Sequence, residues 1–142
     1  MEFLSVIIIA YNEEQNIGRC IDSVKEVADE IVVLDSFSTD KTVQIAEAKG
    51  AVVYRQKFAG YIAQKNKALE FAAHKYVLCL DADEALDVTL MQSILEAKRG
   101  FVYEAYKMNR CTNCCGKFIR HGSWYPGKKI RLFDKRIARW GA

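Results

Sequence analysis

The sequence predicts an α/β protein built on a mostly parallel central sheet, and three observations predict it. Apolar runs rich in β-branched residues recur at Leu4–Ala10, Glu30–Asp35 and Tyr76-Val-Leu-Cys-Leu80. Near-continuous runs of this kind suit strands buried on both faces, as parallel sheets require. Segments with helical apolar spacing separate the runs, the rhythm of βαβ units. The ends of three runs carry polar residues, which places them on one edge of the sheet.

The elements follow in order. Leu4-Ser-Val-Ile-Ile-Ile-Ala10 is the first strand. Asn12 with Gln15 three residues on has the spacing of a capping box, so a helix is expected to start there. Ile17, Cys20, Ile21 and Val24 form its apolar stripe. Glu30–Asp35 is the second strand, and residues 36–40 have turn chemistry. Thr39 or Asp40 can cap a helix that runs to Lys49 and stops at Gly50. Ala51-Val-Val-Tyr54 is a third strand, and Tyr61, Lys65, Ala68, Leu69 and Ala72 mark a third helix. The fourth strand, Tyr76 to Leu80, runs into Asp81-Ala-Asp83-Glu84. Leu90, Met91, Ile94 and Leu95 indicate a further helix closed by Gly100. Beyond it the rhythm changes: residues 101–108 and 130–133 read as strands, so the last third is expected to be a β-rich addition to the α/β body.

The chain has 142 residues, the size of one ordinary domain, and its 51% hydrophobic content is enough for a core. No run approaches the roughly 20 apolar residues of a membrane span. Glu2 stands where a signal peptide carries Lys or Arg, and the apolar run to Ala10 has no cleavage-like continuation. A cytoplasmic chain is expected, and the odd count of five cysteines agrees with reduced thiols.

The net charge of +3 hides a split. Residues 1–97 hold nine Lys/Arg against sixteen Asp/Glu, a balance of −7. Residues 98–142 hold twelve Lys/Arg against Glu104 and Asp134, a balance of +10. A strongly basic third points to an anionic partner or surface; its bland alternative is a solvated face.

In an open parallel sheet, ligands bind outside the carboxyl ends of the strands. Tyr11-Asn12-Glu13, Asp35-Ser36 and Asp81-Ala82-Asp83 follow the first, second and fourth strands and together form a plausible pocket. The start of the first helix, near Asn12, is expected to add backbone N–H groups for an anion. Asp81 and Asp83 are two apart at the end of a buried strand, where both can face one ion. Hard oxygen ligands suit Mg²⁺ or Mn²⁺, completed by substrate phosphates. Asp35 has two readings: a turn carboxylate satisfied by local N–H groups, or a contact to a nucleobase or ribose. No Gly-x-Gly-x-x-Gly, Walker-type or Gly-x-Ser-x-Gly motif is present, which disfavours dinucleotide dehydrogenases, P-loop NTPases and α/β-hydrolases.

Ser5 to Ile17, Ile31 to Thr42, Gln64-Lys-Asn-Lys-Ala68 and Leu80-Asp-Ala-Asp-Glu84 together resemble the family 2 glycosyltransferases of the GT-A fold, in order and spacing, across roughly the first 90 residues. His121-Gly-Ser-Trp-Tyr-Pro126 and Lys129-Ile-Arg-Leu-Phe133 resemble one bacterial branch that includes lipopolysaccharide core glucosyltransferases. The resemblance implies a Rossmann-like three-layer fold in one domain. Residues 1–97 would form its nucleotide-sugar-binding part and 98–142 its acceptor-side part. Ala10, Tyr11, Asn12 and Glu13 would line the nucleoside and diphosphate. Asp35 and Ser36 would meet base and ribose, and Lys65 and Asn66 would lie near the nucleotide. Asp81 would sit by the ribose and donor sugar, and Asp83 would be the main metal ligand. Trp124, Tyr125 and Arg131 would border the acceptor.

The implied reaction is a single displacement with inversion. It would move a sugar from a nucleoside-diphosphate sugar, UDP-hexose favoured, to a lipopolysaccharide-core or other cell-envelope glycan. An anionic, lipid-linked acceptor would bring the basic third to the inner face of the cytoplasmic membrane. Two departures stand out. Many members carry Asp-Asp-Gly-Ser where this chain has Asp35-Ser36-Phe37-Ser38. The branch also continues to a His-Glu pair that supplies a candidate general base, and this chain stops at Trp140-Gly-Ala142. The base is therefore expected beyond Ala142, in a longer domain.

Other readings stay open on the residues. A sugar-nucleotide-binding module without activity has the same pocket. Nucleic-acid binding through the basic third, with its aromatics Phe118, Trp124, Tyr125 and Phe133, is not favoured, because no known motif is present and the acidic pocket goes unexplained. Cys111, Cys114 and Cys115 with His121 contain a zinc half-site spacing, against free or buried thiols. His74 reads as a surface or packing residue.

Overall fold

In the computed structural model, the described residues are 2–101, 105–109, 118–120 and 128–136. The elements run β1 (Leu4–Ala10), α1 (Ile17–Val24), β2 (Glu30–Asp35), α2 (Thr42–Ala48), β3 (Val52–Arg55), α3 (Tyr61–Phe71), β4 (Tyr76–Asp81), α4 (Val88–Ala97), β5 (Ala105–Asn109), β6 (Phe118–Arg120) and β7 (Lys128–Asp134). The strands form one sheet in the order β3-β2-β1-β4-β7-β5-β6. β3, β2, β1 and β4 are parallel, while β7 pairs antiparallel with β4 and β5 antiparallel with β7.

Burial explains why β1 shows no polar alternation. Leu4, Val6, Ile8 and Ala10 face one layer, packed with Ile17, Cys20, Ile21 and Val24 of α1 and Leu90 and Ile94 of α4. Ile7 and Ile9 face the other, packed with Ala68 and Leu69 of α3 and Phe133 of β7. Helices on both faces leave no wet side, so both residue parities must be apolar. Ser5 is the exception within the strand. It is fully buried, donates to Glu30 Oε2 and accepts the His74 N–H at 3.1 Å, so its hydroxyl is satisfied. His74 itself stacks on Phe3, a packing role.

One local expectation is corrected. The capping box at Asn12 does not form: α1 starts at Ile17, after a turn in which the Glu13 carbonyl accepts from the N–H groups of Asn16 and Ile17. Asn12 instead takes the left-handed φ of 49°, which Asn tolerates better than most residues, and its side chain bonds to a different loop. At α2 the N-cap position falls on Lys41 rather than on Thr39 or Asp40, and Asp40, one residue before it, accepts the Thr42 N–H at 2.9 Å. Asp87 caps α4 by accepting the Leu90 N–H at 2.7 Å. Cys20 and Cys79 are free thiols. Burial pushes both up to about 12, and the nearby Glu84 carboxylate adds to the rise at Cys20, so neither is a thiolate near neutral pH.

A clasp ties α4 to the start of the sheet. The nearly buried Lys98 ammonium donates to the Val27 carbonyl and to Asp29 Oδ2, each at 2.7 Å, and Asp29 Oδ2 also accepts the Leu4 N–H at 2.8 Å. Burial pulls the Asp29 carboxyl upward. The bonds from Lys98 and Leu4 outweigh it, and its pKa lies below the usual 3.8. A depressed carboxylate stabilises the fold above its unfolded pKa and loses that contribution as pH falls through the folded value. Asp134, held down chiefly by its bonds from Arg136, has the same sign. Stability to urea is therefore expected to fall as the pH drops below about 4. Asp29→Asn should be weaker at neutral pH and show a flatter acid limb, read by denaturation at a series of pH values.

Candidate functional site

The C-terminal ends of β1, β2, β3 and β4 open into a cavity of about 960 Å³. The size is that of a small-molecule site. Three parts of the wall matter for its chemistry.

The first part is a pair of laced loops. After β1, the N–H groups of Asn12, Glu13 and Glu14 donate to Ser38 Oγ (2.8 Å), Thr42 Oγ1 (2.8 Å) and Asp40 Oδ2 (3.2 Å) of the β2–α2 loop and the start of α2. In return the Thr39 N–H donates to Asn12 Oδ1 at 2.8 Å. The expectation that this turn offers N–H groups to an anion is corrected: three of its donors are already spent on side chains of the neighbouring loop. The lacing leaves Ala10, Tyr11 and Glu13 on the cavity wall, with the Tyr11 ring largely exposed. Asn12 holds the wall rather than lining it.

Asp35 makes the turn contacts of its first reading. It is fully buried, and its two oxygens accept from the Ser38 N–H (2.8 Å) and the Ser38 hydroxyl (2.5 Å). Each oxygen keeps a second lone pair, so these two bonds orient the carboxylate without exhausting it as an acceptor. Ser36 does line the cavity, and its hydroxyl accepts from Gln64 Nε2 at 2.9 Å. Gln64 Oε1 in turn accepts from Gln56. The Asp35–Ser38 turn forces Phe37 to a φ of 60°, a left-handed conformation rare for a residue with a Cβ.

The second part is α3 and the loop before it. Tyr61, Gln64 and Lys65 line the cavity at the i, i+3, i+4 spacing of one helix face, whereas Asn66, one position further round, does not. Lys57 and Phe58 join them from the β3–α3 loop, and Phe58 meets Tyr61 edge-on at 5.1 Å. Sequence reasoning missed Lys57, Phe58, Tyr61 and Gln64 as site residues. Applying the strand-end rule to the third strand would have found the loop.

The third part is the acidic turn after β4. Asp81 and Asp83 both line the cavity. The turn is held at four points: Glu84 N–H to the Asp81 carbonyl (2.9 Å), Asp81 N–H to Glu84 Oε1 (2.8 Å), Ala82 N–H to the Ile9 carbonyl (3.2 Å) and Arg19 to the Asp83 carbonyl (3.1 Å). Arg131 of β7, which also reaches the cavity, grips Glu84 with two parallel bonds of 2.9 Å and the Cys79 carbonyl at 3.3 Å. Glu84 and Arg19 were not singled out from sequence; their roles appear only when the turn is closed.

Within this frame Asp81 Oδ1 is buried without a hydrogen-bond partner among the described residues. A buried lone carboxylate oxygen is costly, and a cation or a ligand hydroxyl would satisfy it. Among the described residues no three His, Cys, Asp or Glu side chains form a metal cluster of their own. Two carboxylates at a cavity wall nonetheless fit Mg²⁺ or Mn²⁺, which commonly take one or two carboxylates and fill the remaining positions from water and substrate phosphate. Trp124, Tyr125 and the cysteine group with His121 lie outside the described residues. No helix among the described residues is long and apolar enough to cross a membrane.

Comparison with known proteins adds four findings. The family model described as glycosyl transferase family 2 matches residues 5–137. An uncharacterized glycosyltransferase of Rickettsia typhi is 44% identical over 141 residues, covering 97% of this chain and 48% of that protein. The lipopolysaccharide core biosynthesis glycosyltransferase LpsC of Rhizobium meliloti is 38% identical over 98 residues, covering 66% of this chain and 36% of that protein. The chain thus spans about half or less of the length of these relatives. Among solved structures, glucosyl-3-phosphoglycerate synthase from Mycobacterium tuberculosis, in complex with Mn²⁺, UDP and glucosyl-3-phosphoglycerate, matches with a TM-score of 0.60 and 25% identity, over 73% of this chain and 42% of that one. The architecture is that of the GT-A glycosyltransferases.

Proposed function

Since the chain belongs to glycosyl transferase family 2, we propose that its cavity holds a nucleoside-diphosphate sugar, UDP-hexose favoured, for inverting transfer to a lipopolysaccharide-core or other cell-envelope glycan. The observation that carries the reading is the acidic turn: two carboxylates at the end of β4, one with a buried unpartnered oxygen, on the wall of a cavity of nucleotide-sugar size. The Mn²⁺ and UDP of the mycobacterial relative and the lipopolysaccharide role named for LpsC support it.

In this reading Asp83 is the main metal ligand and Asp81 the second, for Mg²⁺ or Mn²⁺. The ion, when bound, neutralises charge on the departing diphosphate. Lys65 adds positive charge on the same wall. Tyr11, Ala10, Glu13 and Ser36 border the nucleoside, and Asp35 and Asn12 act by holding the loops that present them. Arg131, with Trp124 and Tyr125, serves the acceptor side, and residues 98–142 turn their positive charge to an anionic lipid-linked acceptor at the inner face of the cytoplasmic membrane. Orientation of the donor by a pre-laced pocket reduces the entropy lost at the transition state. Calorimetry with UDP tests the reading: heat of binding is expected with Mn²⁺ and not with EDTA. No binding under either condition would reject it.

A further inference from the structure

Phe37 combines three features that a purely structural residue would not need. Its backbone φ of 60° is one that residues with a Cβ avoid, and a glycine would make the same turn without strain. Its ring is 56% exposed, although it is a large apolar side chain. It lines the same cavity as the acidic turn. Strain kept at a ligand cavity is a pointer to function.

The sheet order says what Phe37 faces. Asp81 ends β4 and Asp83 follows it, whereas Phe37 follows β2, two strands away across β1. At the usual spacing between strands this separates the two ends by about 10 Å. The cavity is therefore polarised. Carboxylates suited to a metal and diphosphate lie at one end. At the other lie the exposed rings of Phe37, Phe58 and Tyr61, the last two from the segment after β3. A nucleoside diphosphate is polarised the same way, with charge at one end and a planar base at the other.

We propose that Phe37 is a specificity-determining residue that stacks on the nucleobase of the donor, and that the protein keeps its strained backbone for that contact. The inference rests on the donor reading above and adds to it the residue that recognises the base. Aromatic stacking depends on a π-face rather than on base-edge hydrogen bonds, so the contact favours nucleoside diphosphates over base-free diphosphates.

The test compares UDP with inorganic pyrophosphate, both with Mn²⁺, by calorimetry, alongside thermal melting. Phe37→Gly is expected to weaken UDP about tenfold or more, to leave pyrophosphate unchanged and to raise the melting temperature, because the strain is relieved. Phe37→Asn, also tolerant of the left-handed conformation, should show the same loss of UDP, and Phe37→Tyr should retain wild-type affinity. Unchanged UDP binding in folded Phe37→Gly or Phe37→Asn would overturn the inference while leaving the donor reading intact. So would an equal loss of UDP and pyrophosphate, which would indicate a damaged loop. Failure of the wild type to bind UDP would overturn both.

Discussion

Asp83→Ala is expected to remove metal-dependent UDP binding, by about 100-fold or more, while leaving the fold at wild-type stability. Even residues that only support a metal's ligands change affinity by about 10–100-fold, and Asp83 is proposed as the main ligand itself. Its carboxylate is exposed and lines the cavity, and among the described residues the bond that holds Asp83 goes to its backbone carbonyl from Arg19. Deleting the side chain therefore leaves the turn standing, and surface changes of this kind usually stay within about 0.5 kcal/mol. Calorimetry with Mn²⁺ and UDP, beside urea denaturation, separates the two effects. Unchanged metal-dependent binding in a folded Asp83→Ala protein would remove Asp83 from the metal site.

Glu84→Ala is expected to have the opposite profile, with a large loss of stability that carries binding down with it. Glu84 is the counter-charge of Arg131, whose side chain is only 8% exposed, and the pair is bidentate. Breaking a buried pair from one side strands the other charge and typically costs about 3–5 kcal/mol. The same carboxylate accepts the Asp81 N–H, so its removal also loosens the turn that presents Asp81 and Asp83. Replacing both partners, Glu84→Met with Arg131→Met, should recover much of the stability, since no unpaired charge is left. It should not recover UDP affinity, because the turn has still lost its acceptor. Denaturation of the two single variants and the double variant measures the coupling. Additive losses would show that the pair does not act as a unit.

These predictions divide along what can be read from local sequence. β1, β2 and β4 were legible because a strand covered by helices on both faces must be apolar at nearly every position, and Leu4–Ala10 is nearly so. The stripe of α1 was legible for the same reason, since Ile17, Cys20, Ile21 and Val24 all turn to one core. The start of α1 was not. Asn12 and Gln15 have capping spacing, but Asn12 found partners at Ser38 and Thr39, 26 and 27 residues away. Gln64 stands in one of the quoted motifs, but a role for its side chain was not legible; only the meeting of α3 with the β2–α2 loop turns it into the buried partner of Ser36.

By itself, then, the sequence determined the architecture and the address of the candidate site: apolar strands in βαβ order, and Asp81 and Asp83 at the end of one of them. Tertiary structure alone decided how that address is furnished. It laced the first two loops together, spent three of their N–H groups, brought aromatic residues after β2 and β3 into the same cavity as the carboxylates, and set Arg131 against Glu84 across 47 residues of chain. The physical reason is range. Burial imposes a periodicity that any short window of sequence displays, whereas a polar side chain's partner depends on which distant loops the sheet order brings to the same edge.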